Sequence, residues 1–133
     1  HPAQVAALCT ALRERFGGLQ LTLHFHNTRG MGLANVLAAV QSGIDRFDGS
    51  LGGLGGCPYA PGASGNITSE DAIYMLQSMG YETGIDTARL LAAARRLPEV
   101  VRHAVPGQLA KAGRITDLHP APPSVAELKG VFS

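Results

Sequence analysis

Residues 19–30 read L-Q-L-T-L-H-F-H-N-T-R-G, and this stretch decides the fold of the chain. From Leu19 to Phe25, apolar and polar side chains alternate with a period of two, which predicts a β-strand. The apolar residues then lie on one face of the strand, and the polar residues, which include His24 and His26, lie on the other. We therefore expect a half-buried strand whose carboxyl end carries two histidines.

A helix and a second strand follow directly. Residues 31–43 carry an apolar stripe at helical spacing and end in Gly43, a residue type that commonly ends helices. Ile44 to Leu51 has the pattern of a second, shorter strand. Strand, helix and strand joined by short loops are typical of a βαβ unit with parallel strands, so we predict an α/β fold.

Helical patterns lie on both sides of this unit. Pro2 to Phe16 has one apolar face and is followed by Gly17-Gly18, which predicts a first helix that stops there. Thr68 to Met79 predicts another helix, and the acidic residues of its first turn are favourable against the helix dipole. The βαβ unit is thus expected to have helices packed around it.

The C-terminal region combines a helix with a segment rich in proline and glycine. A helix begins near Asp86, and we expect it to end at Pro98 because proline interrupts the helical hydrogen-bond ladder. Residues 99–105 are predicted to form one more short helix. Residues 106–133 are predicted to form an irregular tail, with a single helical turn at 108–112.

Length and composition favour one domain over residues 1–133. The net charge is +1, no basic run is present and tryptophan is absent, so nothing favours a nucleic-acid partner. No apolar run approaches membrane-spanning length and residues 1–18 lack the design of a signal peptide, so we expect no membrane partner. Two cysteines without a CxxC pair indicate reduced thiols in a cytoplasmic compartment.

His24 and His26 are the first candidate site residues. At positions i and i+2 of a strand their Cα atoms are about 6.6 Å apart, so both rings could reach one metal ion. Alternatively, they are two unrelated polar residues at a strand end. Their place at the carboxyl end of a strand in a βα unit favours a site, because α/β folds place their sites there.

The glycine-rich stretch G-L-G-G-C-P-Y-A-P-G-A-S-G-N, residues 53–66, holds two further candidates. Cys57 has little apolar bulk around it, and glycines allow such a loop to close over a ligand, although a purely structural turn is equally compatible. Cys9, on an apolar helical face, is expected to be a buried small hydrophobe. Asn66 precedes a helix, so it is either a turn or cap residue or a ligand of a hard metal ion.

Taken together, residues 24–35, the cysteine-bearing loop and T-S-E-D at 68–71 closely resemble 3-hydroxy-3-methylglutaryl-CoA lyases. These enzymes belong to a metal-dependent superfamily of lyases and Claisen-condensing enzymes built on a TIM barrel. The resemblance extends over roughly residues 19–86. The H-x-H element is shared across the superfamily, whereas the loop with Cys57 points to the lyase branch.

For the fold, the resemblance implies the C-terminal part of a (β/α)₈ TIM barrel, with about two βα units and C-terminal helices. A TIM barrel has eight strands, and the family's D-R-E-like motif, which supplies a metal-ligating Asp and an Arg, is not found in these residues. We therefore expect an incomplete metal site and little or no lyase activity from this chain alone. Pairing with the missing N-terminal barrel portion, or a homo-oligomer, is the expected assembly.

For the site, the resemblance implies that His24, His26 and Asn66 bind a divalent cation, Mg²⁺ or Mn²⁺. It further implies that Cys57 is a catalytic thiol and that His24 shares in proton transfer. The substrate would be an acyl-CoA, cleaved by retro-Claisen chemistry into acetyl-CoA and acetoacetate in the cytoplasm, or in the mitochondrial matrix of a eukaryote. The alternatives are a related aldolase or condensing synthase, or a non-catalytic barrel fragment that needs a partner. Arg29, two residues beyond Asn27, either holds an anionic substrate or is a solvated loop charge.

Overall fold

A computed structural model describes residues 1–56, 59, 62 and 64–117. Five helices and two short strands are defined in this part of the chain. In chain order they are α1 (Pro2–Arg15), β1 (Leu23–His24), α2 (Gly32–Gln41), β2 (Phe47–Asp48), α3 (Ser69–Ser78), α4 (Thr87–Val101) and α5 (Leu109–Ala112), with 3₁₀ turns at Thr28–Gly30 and Leu51–Gly53.

The two strands form a parallel pair connected through α2, which confirms the predicted βαβ unit and the α/β class. Leu23 is paired with Phe47, and His24 with Asp48. The carboxyl ends of both strands therefore lie at the same edge, where the site residues were expected.

Both strands are shorter than the sequence pattern predicts. Beyond β1 the backbone of Phe25 accepts the N–H of Ile67, and beyond β2 the N–H of Ser50 is donated to the carbonyl of Ile67. The segment around Ile67 thus takes the hydrogen bonds that would have extended the β1–β2 ladder. At the other end, Leu19 is 65% exposed and lies outside the pairing.

The core lies between the strands and the helices. Cys9 of α1 is buried, as predicted, in a cluster with Ala39 of α2 and Ile44. Partly buried apolar residues of the strand segments pack on this cluster, namely Leu21, Leu23, Phe25 and Phe47. A second cluster of Val36, Ile67 and Ala72 joins α2 to α3. The apolar face predicted for the first strand is thus the face that packs against the helices.

Helix α4 continues through Pro98 to Val101, so the predicted end at Pro98 and the separate helix over residues 99–105 are wrong. A proline inside a helix removes one backbone donor and costs about 3 kcal/mol. Burial on both sides of it offsets that cost, because Leu91 and Ala94 are buried before it and Val105 is buried beyond the helix end. The helix ends at Arg102, whose φ of 60° is left-handed.

The start of α5 is hydrogen-bonded to the first turn of α3. The Asp71 carboxylate accepts the backbone N–H of Gln108 at 2.9 Å and that of Leu109 at 2.7 Å, and the Leu109 side chain is buried. The rest of the predicted tail, 118–133, lies outside the described residues. Among the helices that the structure describes, none combines the length and apolar character needed to cross a membrane.

Candidate active site

His24 lies at the end of β1 with Asp48 directly across the parallel ladder. Its Nδ1 is 2.5 Å from the Asp48 carboxylate, and both side chains are at least half exposed. A carboxylate can only accept, so Nδ1 carries the hydrogen and the neutral ring presents a free lone pair at Nε2. Histidines that bind metals are commonly oriented by a carboxylate in this manner.

His26, on the same face two residues later, has the same arrangement. Its Nδ1 is 3.1 Å from the backbone carbonyl of Ser64, which can only accept, so the lone pair again lies on Nε2. The centroids of the His24 and His26 rings are 5.1 Å apart. Two imidazole nitrogens are therefore available on neighbouring rings at the carboxyl edge of the strands.

Asn66 lies beside His26. The two residues form an antiparallel bridge in which Ile67 N–H bonds to Phe25 and Asn27 N–H bonds to Gly65, each at 3.0 Å. In such a non-hydrogen-bonded pair the Cβ atoms are about 4.5–5.5 Å apart and on one face. The N-cap position of α3 is occupied by Thr68, so Asn66 is not the cap of that helix, and its role as a metal ligand stays a prediction.

The Asn66 amide is oriented by the glycine-rich loop. Its Nδ2 donates to the Leu54 carbonyl at 2.9 Å, and the Ser50 hydroxyl donates to the same oxygen at 2.5 Å. Because Nδ2 is used in this bond, Oδ1 is the atom of Asn66 that could bind a cation. The arrangement thus offers two imidazole nitrogens and one amide oxygen.

This donor set fits a hexacoordinate cation only in part. Mg²⁺ and Mn²⁺ take six ligands, mostly oxygen, so three positions would remain for water, substrate or other protein groups. Within residues 1–56, 59, 62 and 64–117, no group of three or more His, Cys, Asp or Glu side chains gathers around a possible ion. Among these described residues, the proposed donor set therefore contains no carboxylate.

The start of the glycine-rich loop is held by a buried carboxylate. Glu70 of α3 is fully buried, and its two oxygens accept the N–H of Gly52 at 3.1 and 3.0 Å. Gly52 has a φ of 66°, and an added Cβ there would lie 2.6 Å from Leu97. Burial raises the pKa of Glu70, and the Gly52 hydrogen bond opposes that rise.

Two candidate residues remain, Cys57 and Arg29. Cys57 lies outside the described residues, so its catalytic role stays a prediction. Arg29 is exposed in the turn after the histidines, with a left-handed φ of 61°.

Two residues next to the site were missed by sequence reasoning. Glu70 was considered only as a favourable helix-start acid, and no local pattern shows that it is buried. Asp48 was not singled out at all. The signal that could have found Asp48 is the register of a parallel pair, which sets it opposite His24.

The comparisons with known proteins identify the family of this chain. The family model described as HMGL-like matches residues 1–97. A hydroxymethylglutaryl-CoA lyase of Bacillus subtilis is 50% identical over 108 residues, which cover 81% of this chain and 36% of that protein. An (R)-citramalyl-CoA lyase of Chloroflexus aurantiacus is 47% identical over 114 residues, which cover 86% of this chain and 36% of that protein.

A solved structure is similar over almost the whole chain. The HMG-CoA lyase of Acinetobacter baumannii, in complex with coenzyme A and 3-methylmalate, superimposes with a TM-score of 0.87 and 55% identity. The match covers 92% of this chain and 40% of that structure. The chain thus spans well under half the length of the relatives it matches, and the predicted fold class, part of a TIM barrel, is confirmed. With the family model matching residues 1–97, this chain belongs to the HMGL-like family.

Proposed function

We propose that this chain supplies part of the active site of a carbon–carbon lyase that cleaves 3-hydroxy-3-methylglutaryl-CoA into acetyl-CoA and acetoacetate. The single observation that carries the proposal is the meeting of His24, His26 and Asn66 at one strand edge, beside the glycine-rich loop. The 50% identity to the Bacillus subtilis lyase supports this substrate. We further propose that the protein acts in the cytoplasm, or in the mitochondrial matrix in a eukaryote.

Nε2 of His24, Nε2 of His26 and Oδ1 of Asn66 would hold a divalent cation, Mg²⁺ or Mn²⁺. When bound, such a cation polarises the substrate oxygens and lowers the pKa of the hydroxyl group that must lose its proton. The hydrogen bonds of both rings through Nδ1 support this assignment, because they leave Nε2 free on each ring.

His24 is also proposed to share in proton transfer. With Nε2 directed at a cation, the proton it can exchange is the one on Nδ1, which lies between the ring and Asp48. The Asp48 carboxylate accepts that hydrogen and keeps the orientation of the ring.

Cys57 is proposed to be the acid that donates a proton after the C–C bond has broken. Breaking the C–C bond leaves an acetyl-CoA enolate, and a thiol on a loop that covers the substrate can protonate that carbon. Exclusion of water by the loop would protect the enolate until then. This role rests on the resemblance of the loop sequence to the lyase family.

The complete activity requires further barrel strands. The chain covers 36–40% of the length of its relatives, and two paired strands are described where a barrel has eight. An apolar groove of about 680 Å³ lies between α2 and α3 beside β2, with Val36, Phe47, Ile67 and Leu76 among its lining residues. We propose that the remaining barrel portion docks in this groove.

Reconstitution tests the function. The chain is co-expressed with the N-terminal barrel portion of a family lyase, and release of acetoacetate is followed with 3-hydroxy-3-methylglutaryl-CoA and Mg²⁺. Cleavage by the complex, little cleavage by the chain alone, and a large loss in Cys57→Ala are expected. A complex that forms and binds Mg²⁺ but cleaves no acyl-CoA would contradict the proposal.

A second acyl-CoA is worth assaying in parallel. The 47% identical relative is an (R)-citramalyl-CoA lyase, which favours (R)-citramalyl-CoA as the alternative substrate of the same C–C bond cleavage. The ratio of kcat/KM for the two thioesters decides between them. Activity on only the second would retain the lyase class and replace the substrate.

A further inference from the structure

The side chain of Asn66 touches two parts of the site at once. On one side it shares a narrow antiparallel pair with His26. On the other side its Nδ2 donates to the carbonyl of Leu54, the residue at which the glycine-rich loop leaves the Leu51–Gly53 turn. Leu54 and Asn66 lie near the two ends of the glycine-rich stretch 53–66, so this hydrogen bond joins those ends, residues 53–56 and 64–66, which form the neck of the loop.

The neck is tightly packed around this amide. A Cβ added to Gly55 would lie 2.7 Å from Asn66 Nδ2, and one added to Gly65 would lie 2.1 Å from the carbonyl oxygen of Gly53. Only glycine fits at these two positions without a shift of backbone or amide. The orientation of the Asn66 amide and the backbone at Gly53, Gly55 and Gly65 are therefore fixed together.

The two ends of the amide are also coupled electronically. A side-chain amide is planar, so fixing Nδ2 on Leu54 fixes the direction of Oδ1. A cation at Oδ1 would withdraw electron density from the amide and make the Nδ2 hydrogens stronger donors. Cation binding and closure of the neck should thus stabilise each other.

We propose that Asn66 is a positioning residue that couples the metal site to the glycine-rich loop, with Oδ1 toward the cation and Nδ2 on the Leu54 carbonyl. The inference rests on the proposed function for the cation, whereas the Nδ2 bond is independent of it. Backbone fixed in this way at residues 53–56 would be better ordered when the metal site is filled than when it is empty.

Hydrogen exchange of the backbone amides of residues 53–56, with and without Mn²⁺, measures the coupling without an activity assay. In the wild-type chain, Mn²⁺ at millimolar concentration should slow exchange at the neck. Asn66→Asp keeps a cation-binding oxygen but loses the Nδ2 donor. Its neck should exchange faster by about fivefold, the effect of one ordinary hydrogen bond, and Mn²⁺ should no longer protect it.

Two further variants serve as controls. Asn27→Asp introduces the same charge beside the site but keeps the oxygen that accepts the Gly32 N–H at 3.0 Å, so it should retain wild-type protection. Ser50→Ala removes the other donor to the Leu54 carbonyl without touching Asn66. Its neck should loosen, yet Mn²⁺ should still protect it.

The outcomes separate this inference from the proposed function. Mn²⁺ binding, measured by calorimetry on each variant, comes first. If Mn²⁺ binds neither to the wild-type chain nor to its complex with the N-terminal barrel portion, the proposed metal site fails and the coupling fails with it. If Mn²⁺ binds and Asn66→Asp keeps full metal-dependent protection, the coupling alone is overturned.

Discussion

The carboxylate of Asp48 accepts the Nδ1 hydrogen of His24 at 2.5 Å across the parallel β1–β2 pair. Register, rather than proximity in sequence, brings the two together, since 24 positions separate them. The contact fixes the His24 ring so that Nε2 points away from the carboxylate. A side chain that is hydrogen-bonded to a proposed ligand can therefore control the direction of that ligand's free nitrogen.

Replacement of Asp48 by asparagine should weaken cation binding. An amide can turn either its oxygen or its nitrogen toward the His24 ring, so the tautomer with a free Nε2 is no longer enforced. Loss of such an outer partner typically costs about 10–100-fold in metal affinity, and we expect Asp48→Asn to fall in that range for Mn²⁺ by calorimetry. Asp45→Asn, at an exposed position of the same segment, is the control. Equal affinities in both variants would contradict an orienting role.

Removal of the Glu70 carboxylate should destabilise the fold. In Glu70→Ala the Gly52 N–H loses its acceptor in a buried environment, which costs about 1–3 kcal/mol in the free energy of unfolding. Glu70→Gln keeps an acceptor oxygen and should lose less. Urea unfolding followed by circular dichroism gives the values, with exposed Glu82→Ala as the control. A loss in Glu70→Ala no larger than in Glu82→Ala would contradict the Gly52 contact.

Glu70 should also make stability depend on pH in a definite direction. Burial raises the pKa of this carboxyl in the folded state above its value of about 4.3 in unfolded chains. Its contribution to stability is therefore fully present below the unfolded pKa and is lost as pH rises through the folded pKa. Glu70→Gln has no carboxyl group to titrate at this position. The difference in free energy of unfolding between wild type and variant should therefore change as pH rises from the unfolded-state pKa through the folded-state pKa of Glu70.

A group whose pKa is lowered in the folded state changes stability with pH in the opposite direction, so its contribution must be removed from the comparison. Arg114 lowers the pKa of Asp117 by hydrogen bonding and charge, so Asp117 gives stability that is lost as pH falls. Measuring both proteins in an Asp117→Asn background removes that contribution from each. A pH-independent difference between the Glu70 proteins would show that the carboxyl titrates equally in the folded and unfolded states.

Local patterns predicted the elements of this fold better than their extents. The alternation from Leu19 identified the apolar face that packs on Cys9 and Ala39, because period-two burial is a local property. Strand length depends on the partner, and the segment around Ile67 takes the hydrogen bonds beyond Phe25. Pro98 was expected to end a helix because propensity does not include the burial on either side of it.

The site shows the same division between local and tertiary information. The spacing of His24 and His26 placed both rings on one face, whereas the pairing of His26 with Asn66 joins residues 40 positions apart, from position 26 to position 66. Asn66 alone has the sequence context of a cap. Its antiparallel bridge to His26 is a tertiary contact, and this contact places it beside a histidine.

The neck of the glycine-rich loop should not tolerate a side chain at Gly65. A Cβ there would lie 2.1 Å from the Gly53 carbonyl oxygen and 2.4 Å from that of Gly55. Gly65→Ala should therefore cost about 1–3 kcal/mol of stability through overpacking, and it should weaken Mn²⁺ binding by displacing Asn66. Gly56→Ala, where a Cβ meets no atom of the described residues within 4 Å, should stay within about 0.5 kcal/mol of wild type in urea unfolding. Similar costs at both positions would contradict the tight neck.

The groove beside β2 should carry the affinity for the rest of the barrel. Leu76 lines it from α3, and burying a leucine contributes about 1.5–3 kcal/mol, so Leu76→Glu should weaken the complex with the N-terminal barrel portion by tenfold or more. Analytical ultracentrifugation of titrated mixtures measures the Kd. Ile115→Glu, at a side chain that is 90% exposed and outside the groove, should leave the Kd unchanged. If the chain alone sediments as a dimer that Leu76→Glu dissociates, a second copy occupies the groove, and docking of the barrel portion there is wrong.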